Sequence, residues 1–469
     1  MGVGISGWRL ARAVAKTGQL GVVSGVALDT LLARRLQLGD PDGHARRALA
    51  GFPVPEIAER ALQRYFVPGG IPSDRPFRPI GRLDLDPSQA ATELAVLGNF
   101  VEIFLAKEGH DGPVGINLLE KMQITTPTAA YGAMLAGVDY VVMGAGIPSE
   151  IPALLNRLAA GEPGLLSVSV DGASSGERRT VGVDPRALLG PRLPEVGRPR
   201  FLAIVSTHVL AAYLARDPVT RPDGVILETP VAGGHSAPPR GNLALDADGD
   251  PIYGARDRLD LVKTAAVNLP FWLAGGYATP QMVAEAIASG ATGVQIGSAF
   301  ALCRESGLAP QLRHELLKRA VDGSLIVRNH PRASPTGFPF KLAQLPSTGA
   351  DEATYQDRPR LCDLGYLRTV YIKPNGSIGY RCAAEPVAQH VRKGGTAEDT
   401  EDRRCLCNGL VASTGLGQRR SAGYAEPPLV TLGQDLDFLP ELLSAVGSDY
   451  RAADVVEYLL PRPATEQAP

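Results

Sequence analysis

Short apolar runs alternate with amphipathic stretches over roughly the first 320 residues. The amphipathic stretches have helical spacing and include residues 8–16, 93–107, 127–136, 150–160 and 279–289. The short runs are apolar at both odd and even positions, as expected of parallel strands that are buried on both faces. Eight of them are predicted to be strands: 20–24, 113–118, 140–144, 165–170, 201–206, 224–227, 271–274 and 293–296.

This alternation predicts an α/β fold, and eight parallel strands can close into a TIM (β/α)8 barrel. The active site of such a barrel lies at the carboxyl ends of its strands. A doubly wound sheet is the structural alternative, but none of the eight predicted strands is followed by a GxGxxG motif that opens a helix.

Two segments depart from the alternation. Residues 28–85 are helical and polar, and we expect them to form an insertion in a barrel domain of residues 1–320. Residues 321–469 lack the alternation and contain four of the five cysteines, so we expect an appended C-terminal region. Residues 1–7 have the pattern of a strand end and a glycine turn, which predicts that most of the first barrel strand lies upstream of Met1.

Three glycine turns follow predicted strands and carry the candidate chemistry. The first ends in Gly233, Gly234 and His235, and the others contain Gly275-Gly276 and Gly297-Ser298. Glycine lets the backbone approach a ligand without a Cβ in the way, and a histidine can exchange a proton near neutral pH. The repeated layout indicates a phosphate-bearing cofactor over a barrel.

Composition narrows the functional classes. The 469 residues are 44% hydrophobic and carry a formal net charge of −2, which favours neither nucleic acid nor a membrane surface as a partner. No apolar run has the length of a transmembrane helix. Five cysteines are few for a secreted disulfide framework, and an odd number of them cannot all form pairs. A cytoplasmic enzyme with a small-molecule substrate is therefore expected, whereas the oligomeric state is left open.

Several motifs, taken in order, resemble the nitronate monooxygenase family, also called 2-nitropropane dioxygenase-like. They are MGVGISG at 1–7, GVVSG at 21–25, VGINLLEK at 114–121, AGGHS at 232–236, LAGGYAT at 273–279 and VQIGSAF at 294–300. The segment PRASPTGFPFK at 331–341 also resembles the related flavin enoyl reductases of polyunsaturated fatty acid and polyketide synthases.

The resemblance implies an FMN-dependent barrel and a specific set of site residues. His235 matches the family histidine over the flavin, which deprotonates a nitroalkane or binds a substrate anion. Glu228 departs from the family pattern, because a glutamine usually occupies that position. The residues that the resemblance assigns to FMN are Met1, Gly2, Val3, Asn117, Gly233, Gly275, Gly276, Gln295, Ile296, Gly297 and Ser298.

The resemblance leaves the reaction open between two enzymes. The first is a monooxygenase that oxidises alkyl nitronates or related anions with O₂. The second is an NAD(P)H-dependent flavin enoyl-thioester reductase, whose substrate would be an acyl thioester. A flavin-less binding or scaffold protein is the alternative from another class, and an FMN spectrum would exclude it.

Four cysteines lie close together in the C-terminal sequence: Cys362, Cys382, Cys405 and Cys407. The first two flank a predicted hairpin around Pro374-Asn375-Gly376, so the ends of that hairpin can bring them together. Four thiolates suit zinc or an iron–sulfur cluster. The spacing departs from paired CxxC motifs, so reduced structural cysteines remain an alternative to zinc and to the cluster.

Overall fold

A parallel sheet of seven strands forms the centre of the molecule in a computed structural model, which describes residues 2–174, 178–420 and 423–461. Each strand pairs in parallel with its neighbours, and the sheet curves as half of a barrel wall. In order across the sheet the strands are β1 (Gly21–Ser24), β2 (Val114–Leu119), β3 (Tyr140–Gly144), β7 (Arg200–Val205), β8 (Gly224–Glu228), β9 (Phe271–Ala274) and β10 (Gly293–Gln295).

The apolar character of these strands explains their place in the core. Val141, Phe201 and Leu227 are fully buried, and packing on both sides of the sheet removes their side chains from water. The register aligns the carboxyl ends of the strands, with Ser24 beside Asn117 and Glu228 beside Ala274. The loops that follow these ends therefore meet on one side of the sheet.

Eighteen α-helices lie within the described residues and surround the sheet. Predicted starts and ends agree with the observed helices within a few residues, and the Thr279 hydroxyl caps α11 by accepting from the Met282 amide at 3.2 Å. The helices are α1 (Trp8–Ala15), α2 (Leu28–Gln37), α3 (His44–Ala50), α4 (Pro55–Tyr65), α5 (Gln89–Lys107), α6 (Thr126–Leu135), α7 (Ile151–Ala159), α8 (Pro185–Leu189), α9 (His208–Ala215), α10 (Leu261–Ala265), α11 (Pro280–Ala288), α12 (Ser298–Ala301), α13 (Pro310–Val321), α14 (Glu352–Asp357), α15 (Val387–Arg392), α16 (Leu406–Val411), α17 (Leu439–Val446) and α18 (Ala452–Leu459).

Helix α5 is the one described helix that is long and apolar enough to cross a membrane. Its most apolar 18-residue window is 78% buried against the rest of the chain, so α5 is packed as a core helix. Helices α2–α4 occupy the first part of the 28–85 segment, and α2 packs on α5. That this segment is an insertion stays a prediction.

One of the eight predicted strands was assigned to the wrong sheet. Residues 165–170 do not join the parallel sheet, because β4 (Gly164–Val168) pairs antiparallel with β6 (Arg179–Val183). Leu165 is 50% exposed, so β4 has one buried face and cannot be a central parallel strand. Apolar composition alone did not distinguish this peripheral hairpin from a barrel strand.

The C-terminal region forms small antiparallel units and returns to the central sheet. Strand β11 (Val327–His330) pairs with β12 (Phe340–Ala343), and β13 (Thr369–Ile372) pairs with β14 (Ile378–Arg381) and with β5 (Val170–Asp171). Helices α17 and α18 pack into a second core cluster that includes Leu10 and Leu302. These contacts pack α17 and α18 against the helices around the sheet.

Candidate functional site

A large cavity lies at the carboxyl ends of the parallel strands. Its lining includes every residue that the sequence predicted to bind FMN, except Met1, which lies outside the described residues. These lining residues are Gly2, Val3, Asn117, Gly233, Gly275, Gly276, Gln295, Ile296, Gly297 and Ser298, together with His235. The structure brings the predicted site together in one place, while the role of each residue stays a prediction.

The glycine turn after β9 depends on a backbone conformation that other residues rarely adopt. Gly275 and Gly276 have φ values of +86° and +82°. The Thr229 hydroxyl donates to the Gly275 carbonyl at 3.2 Å, and a Cβ on Gly275 would lie 2.2 Å from the same hydroxyl oxygen. Residue 275 must therefore be glycine for the turn to close against the loop after β8.

The turn after β10 presents open backbone to the cavity. A Cβ on Gly297 would meet no atom within 4 Å, so the space beside it is free for a ligand. The Ser298 hydroxyl lies at the start of α12 and accepts a hydrogen bond from the Gly433 amide at 2.8 Å. An open glycine turn followed by a hydroxyl is expected of a barrel phosphate site, and this role of the turn stays a prediction.

His235 is held by the segment that follows Ser334. The His235 Nε2 atom lies 2.7 Å from the Ser334 hydroxyl oxygen, and its ring packs edge-on against Phe340 with centroids 4.8 Å apart. The backbones also pair, because the Ser236 amide donates to the Pro339 carbonyl and the Lys341 amide donates to the Gly234 carbonyl. The segment PRASPTGFPFK thus fixes the histidine loop, which the sequence did not predict.

Burial keeps the imidazole neutral. It lowers the pKa of His235 to about 3, and the positive charges of Lys341 and Lys121 add to the effect. His235 is therefore a hydrogen-bonding group at physiological pH and a weak base. The arrangement can orient a substrate and bind an anion, whereas an imidazolium is not available as a proton donor.

Glu228, which is half-buried, and Lys341 act on each other electrostatically next to the histidine loop. Glu228 ends β8 and lines the cavity, and Lys341 is fully buried with an ammonium that has no hydrogen-bond partner among the described residues. Burial raises the pKa of Glu228 to about 7, opposed by Lys341, and burial lowers the pKa of Lys341. The carboxyl group is thus largely protonated below neutral pH, and it can then donate a hydrogen bond as the glutamine of the family pattern does.

Glu228→Gln should flatten the pH dependence of stability. Because its pKa in the folded state lies above its usual value, Glu228 binds more protons in the folded than in the unfolded state between about pH 4.5 and 7. Its contribution to stability is present below that window and is lost as pH rises through 7. We expect the wild-type melting temperature to fall more steeply than that of the variant between pH 5 and 7.5. Parallel curves measured by differential scanning calorimetry would contradict this assignment.

The C-terminal region contributes a wall that sequence reasoning missed. The Gly234 amide donates to the Thr431 hydroxyl at 2.9 Å, which joins the histidine turn to this wall. Apart from Cys407, no local pattern at these positions signals a site, because they become neighbours only through long-range packing. The wall consists of Tyr366, Leu367, Leu406, Cys407, Leu410, Thr431, Leu432, Gly433, Asp435 and Phe438.

Arg240 follows the histidine turn, and a guanidinium at this place could pair with a substrate carboxylate or phosphate. Its guanidinium instead donates to the carbonyls of Arg256 and Ser206, at 2.7 and 3.0 Å. The side chain thus holds the loop after the histidine turn against the Arg256 and Ser206 backbone. This geometry does not support the substrate-binding interpretation.

The four C-terminal cysteines do not form the predicted zinc site. Among the residues that the structure describes, no group of three or more His, Cys, Asp or Glu side chains is positioned to hold a metal ion. All five cysteines are free thiols, and Cys303 is a fully buried core residue in the second cluster. The hairpin prediction was right, since β13 and β14 lie between Cys362 and Cys382.

Known proteins resemble parts of this chain. Residues 199–398 match the family model of nitronate monooxygenase. A (3aS,4S,5R,7aS)-5-hydroxy-7a-methyl-1-oxo-octahydro-1H-indene-4-carboxyl-CoA dehydrogenase of Mycobacterium tuberculosis is 25% identical over 42% of this chain and 56% of its own length. The Rhodococcus jostii protein of the same name is 31% identical over 23% of this chain and 26% of its own.

Among solved structures, nitroalkane oxidase from Streptomyces ansochromogenes aligns over 98% of this chain and 92% of its own, with 14% identity and a TM-score of 0.46. The chain spans about half of one curated relative and a quarter of the other. The family match contains His235 and the glycine turns after β9 and β10. The resemblance predicted from the sequence is confirmed over residues 199–398, which match the nitronate monooxygenase family model.

Proposed function

We propose that the chain binds FMN and oxidises alkyl nitronates or related small anions with O₂. The observation that carries this proposal is the convergence of neutral His235 and the glycine turns on one cavity. In the overall reaction two nitronates and one O₂ would give two carbonyl compounds and two nitrite ions. Bound FMN would supply the two-electron acceptor for that oxidation.

The cavity suits a cofactor with one phosphate. The open backbone at Gly297 and the Ser298 hydroxyl would hold the phosphate, and Gly276 would face it from the adjacent turn. Asn117 would bond the edge of the flavin ring, because an amide both donates and accepts. A side chain added at position 297 would project into the free space, so the glycine is part of the fit.

The charge around His235 favours a substrate that is already an anion. A histidine with a pKa of about 3 is too weak a base to remove a proton efficiently from a neutral nitroalkane at physiological pH. Its N–H can instead donate to a nitronate oxygen, and the nearby positive charges of Lys341 and Lys121 stabilise an anion in this position. We therefore expect preformed nitronates to react faster than the corresponding neutral nitroalkanes.

A flavin-dependent oxidoreductase of acyl thioesters is the second candidate. Both curated relatives are named as dehydrogenases of a CoA thioester. The segment that fixes His235 is also the one that resembles flavin enoyl reductases of fatty acid and polyketide synthesis. In this alternative NAD(P)H would supply the electrons, and the cavity would accept an enoyl thioester.

Flavin reduction without oxygen separates the two candidates. The flavin absorbance is followed after addition of propionate-3-nitronate, a neutral nitroalkane, or NADPH with and without an enoyl-CoA. Reduction by the nitronate, faster than by the nitroalkane, supports the first candidate. Reduction by NADPH, followed by reoxidation with the enoyl-CoA, would replace it with the second, and no reduction by either would overturn both.

The released cofactor should be FMN and not FAD. The glycine turns after β9 and β10 would form one phosphate site, and no strand of the parallel sheet is followed by the dinucleotide fingerprint that would accompany a second phosphate. Heat release followed by chromatography against both standards identifies the cofactor. FAD in the released fraction would refute the single-phosphate assignment.

A further inference from the structure

A strap of the C-terminal region, residues 430–435, lies against the glycine turns that follow β8, β9 and β10. Its first residue, Val430, accepts a hydrogen bond from the Ala343 amide of β12 at 2.9 Å. Near its other end the Gln434 amide donates to the Val231 carbonyl, also at 2.9 Å. These bonds fix both ends of the strap, so the residues between them have a defined place beside the turns.

The centre of the strap packs directly on two of the turns. A Cβ on Gly233 would lie 2.8 Å from the Leu432 carbonyl carbon, so the two backbones are in close contact. The Gly433 amide donates to the Ser298 hydroxyl oxygen at 2.8 Å. Because that oxygen accepts from Gly433, the Ser298 hydroxyl keeps its own proton to donate to another group. The strap would therefore complete the proposed phosphate site.

The last residue of the strap places a carboxylate beside the third turn. The Asp435 Oδ2 atom lies 3.1 Å from the point that a Cβ on Gly276 would occupy. The other carboxylate oxygen accepts a hydrogen bond from the Asp437 amide at 3.2 Å, which holds the side chain in this orientation. Asp435 is half-buried and lines the same cavity as Gly297 and Ser298. A phosphate held by these turns would therefore have a carboxylate as its neighbour.

Among the described residues, no lysine or arginine lines the cavity to offset this charge. The acidic side chains in the lining are Glu228 and Asp435. Lys341 and Lys121, which act on His235, are not part of the lining. Backbone amides and one hydroxyl would thus have to hold the phosphate against the Coulomb repulsion of Asp435.

We propose that Asp435 sets the affinity of the cavity for its cofactor by opposing the negative charge of the cofactor's phosphate. This inference rests on the FMN binding proposed above and not on the substrate, so a failure to oxidise nitronates would leave it standing. Two unit charges about 5 Å apart in water change a binding constant about fourfold, and a partly desolvated pair changes it by more. The carboxylate should therefore weaken the contribution of the phosphate to binding by about fivefold or more.

The test compares FMN with riboflavin, which has the same ring and ribityl chain but no phosphate. The full-length protein is stripped of flavin, and the Kd of each flavin is measured from the quenching of its fluorescence. The ratio of the riboflavin Kd to the FMN Kd then reports the contribution of the phosphate. Asp435→Asn should raise this ratio about fivefold or more, because the amide carries no charge and its oxygen can still accept from the Asp437 amide. An unchanged or lower ratio in this variant would overturn the proposal.

Asp437→Asn is the matched control for this substitution. It removes the same charge from an exposed side chain two residues away, which does not line the cavity. Water and salt screen such a charge, so the ratio should stay within about twofold of the wild-type value. An equal rise in both variants would show that net charge, and not the place of Asp435, decides the affinity.

Salt dependence in the wild-type protein tests the same charge without any substitution, which covers the case of a variant that does not fold. Between about 0.01 and 1 M salt the Debye length falls from about 30 to 3 Å. Screening of the repulsion from Asp435 should then tighten the binding of FMN relative to riboflavin. Weaker relative binding of FMN at high salt would contradict the proposal, because it indicates a site that attracts the phosphate. Binding of neither flavin would overturn this proposal together with the proposed FMN binding.

Discussion

His235→Ala should lower turnover by about 100-fold or more while the flavin stays bound. The histidine faces the cavity and contacts Ser334 and Phe340, so its loss removes a substrate-binding group without touching the glycine turns. Steady-state kinetics and the flavin-to-protein ratio are measured together. His314→Ala, on the exposed face of α13, is the control and should have wild-type turnover.

The pH profile adds a second readout for His235. Because its pKa is lowered to about 3, kcat/KM should show no transition from this histidine between pH 5 and 8. A loss of flavin in His235→Ala would indicate a structural role instead. Unchanged turnover would remove the histidine from the proposed mechanism.

Gly275→Ala should destabilise the protein by several kcal/mol and strip it of flavin. An alanine at φ +86° is strained by about 1–2 kcal/mol, and its Cβ would also overlap the Thr229 hydroxyl at 2.2 Å. The turn must move, and the loop carrying His235 must move with it. Denaturant unfolding and flavin content measure the two effects.

Gly290→Ala is the matched control for this substitution. Gly290 has a φ of +91°, but a Cβ there would meet no atom within 4 Å. The free energy of unfolding of Gly290→Ala should therefore fall only by the backbone strain of about 1–2 kcal/mol, and this variant should keep its flavin. Equal destabilisation in both variants would show that the crowding around Gly275 is unimportant.

The sequence predicted the parts of this fold that depend on local pattern. Seven of the eight predicted strands occupy the parallel sheet, since their apolar character reflects burial on both faces. The glycine turns and His235 follow strand ends, and parallel strands bring those ends to one edge. Their convergence on one cavity follows from topology alone.

The remaining parts depend on contacts between distant segments. Nothing near Lys341 in the sequence shows that its ammonium is buried beside Glu228, because the pairing of residues 339–341 with 234–236 creates that environment. The 165–170 strand was misplaced because a hairpin with one buried face can be as apolar as a central strand. The zinc prediction was made from spacing, which cannot report the distances between thiols.

The wall residues at 431–438 are synthesised after the glycine turns that they contact. The hydrogen bond from Gly433 to Ser298 joins positions 135 residues apart, and the bond from Gly234 to Thr431 joins positions 197 apart. A ribosome releases the glycine turns well before this wall exists, because synthesis proceeds from the N-terminus. A nascent chain that already contains these turns therefore lacks this wall of the cavity until residues 431–438 have been synthesised.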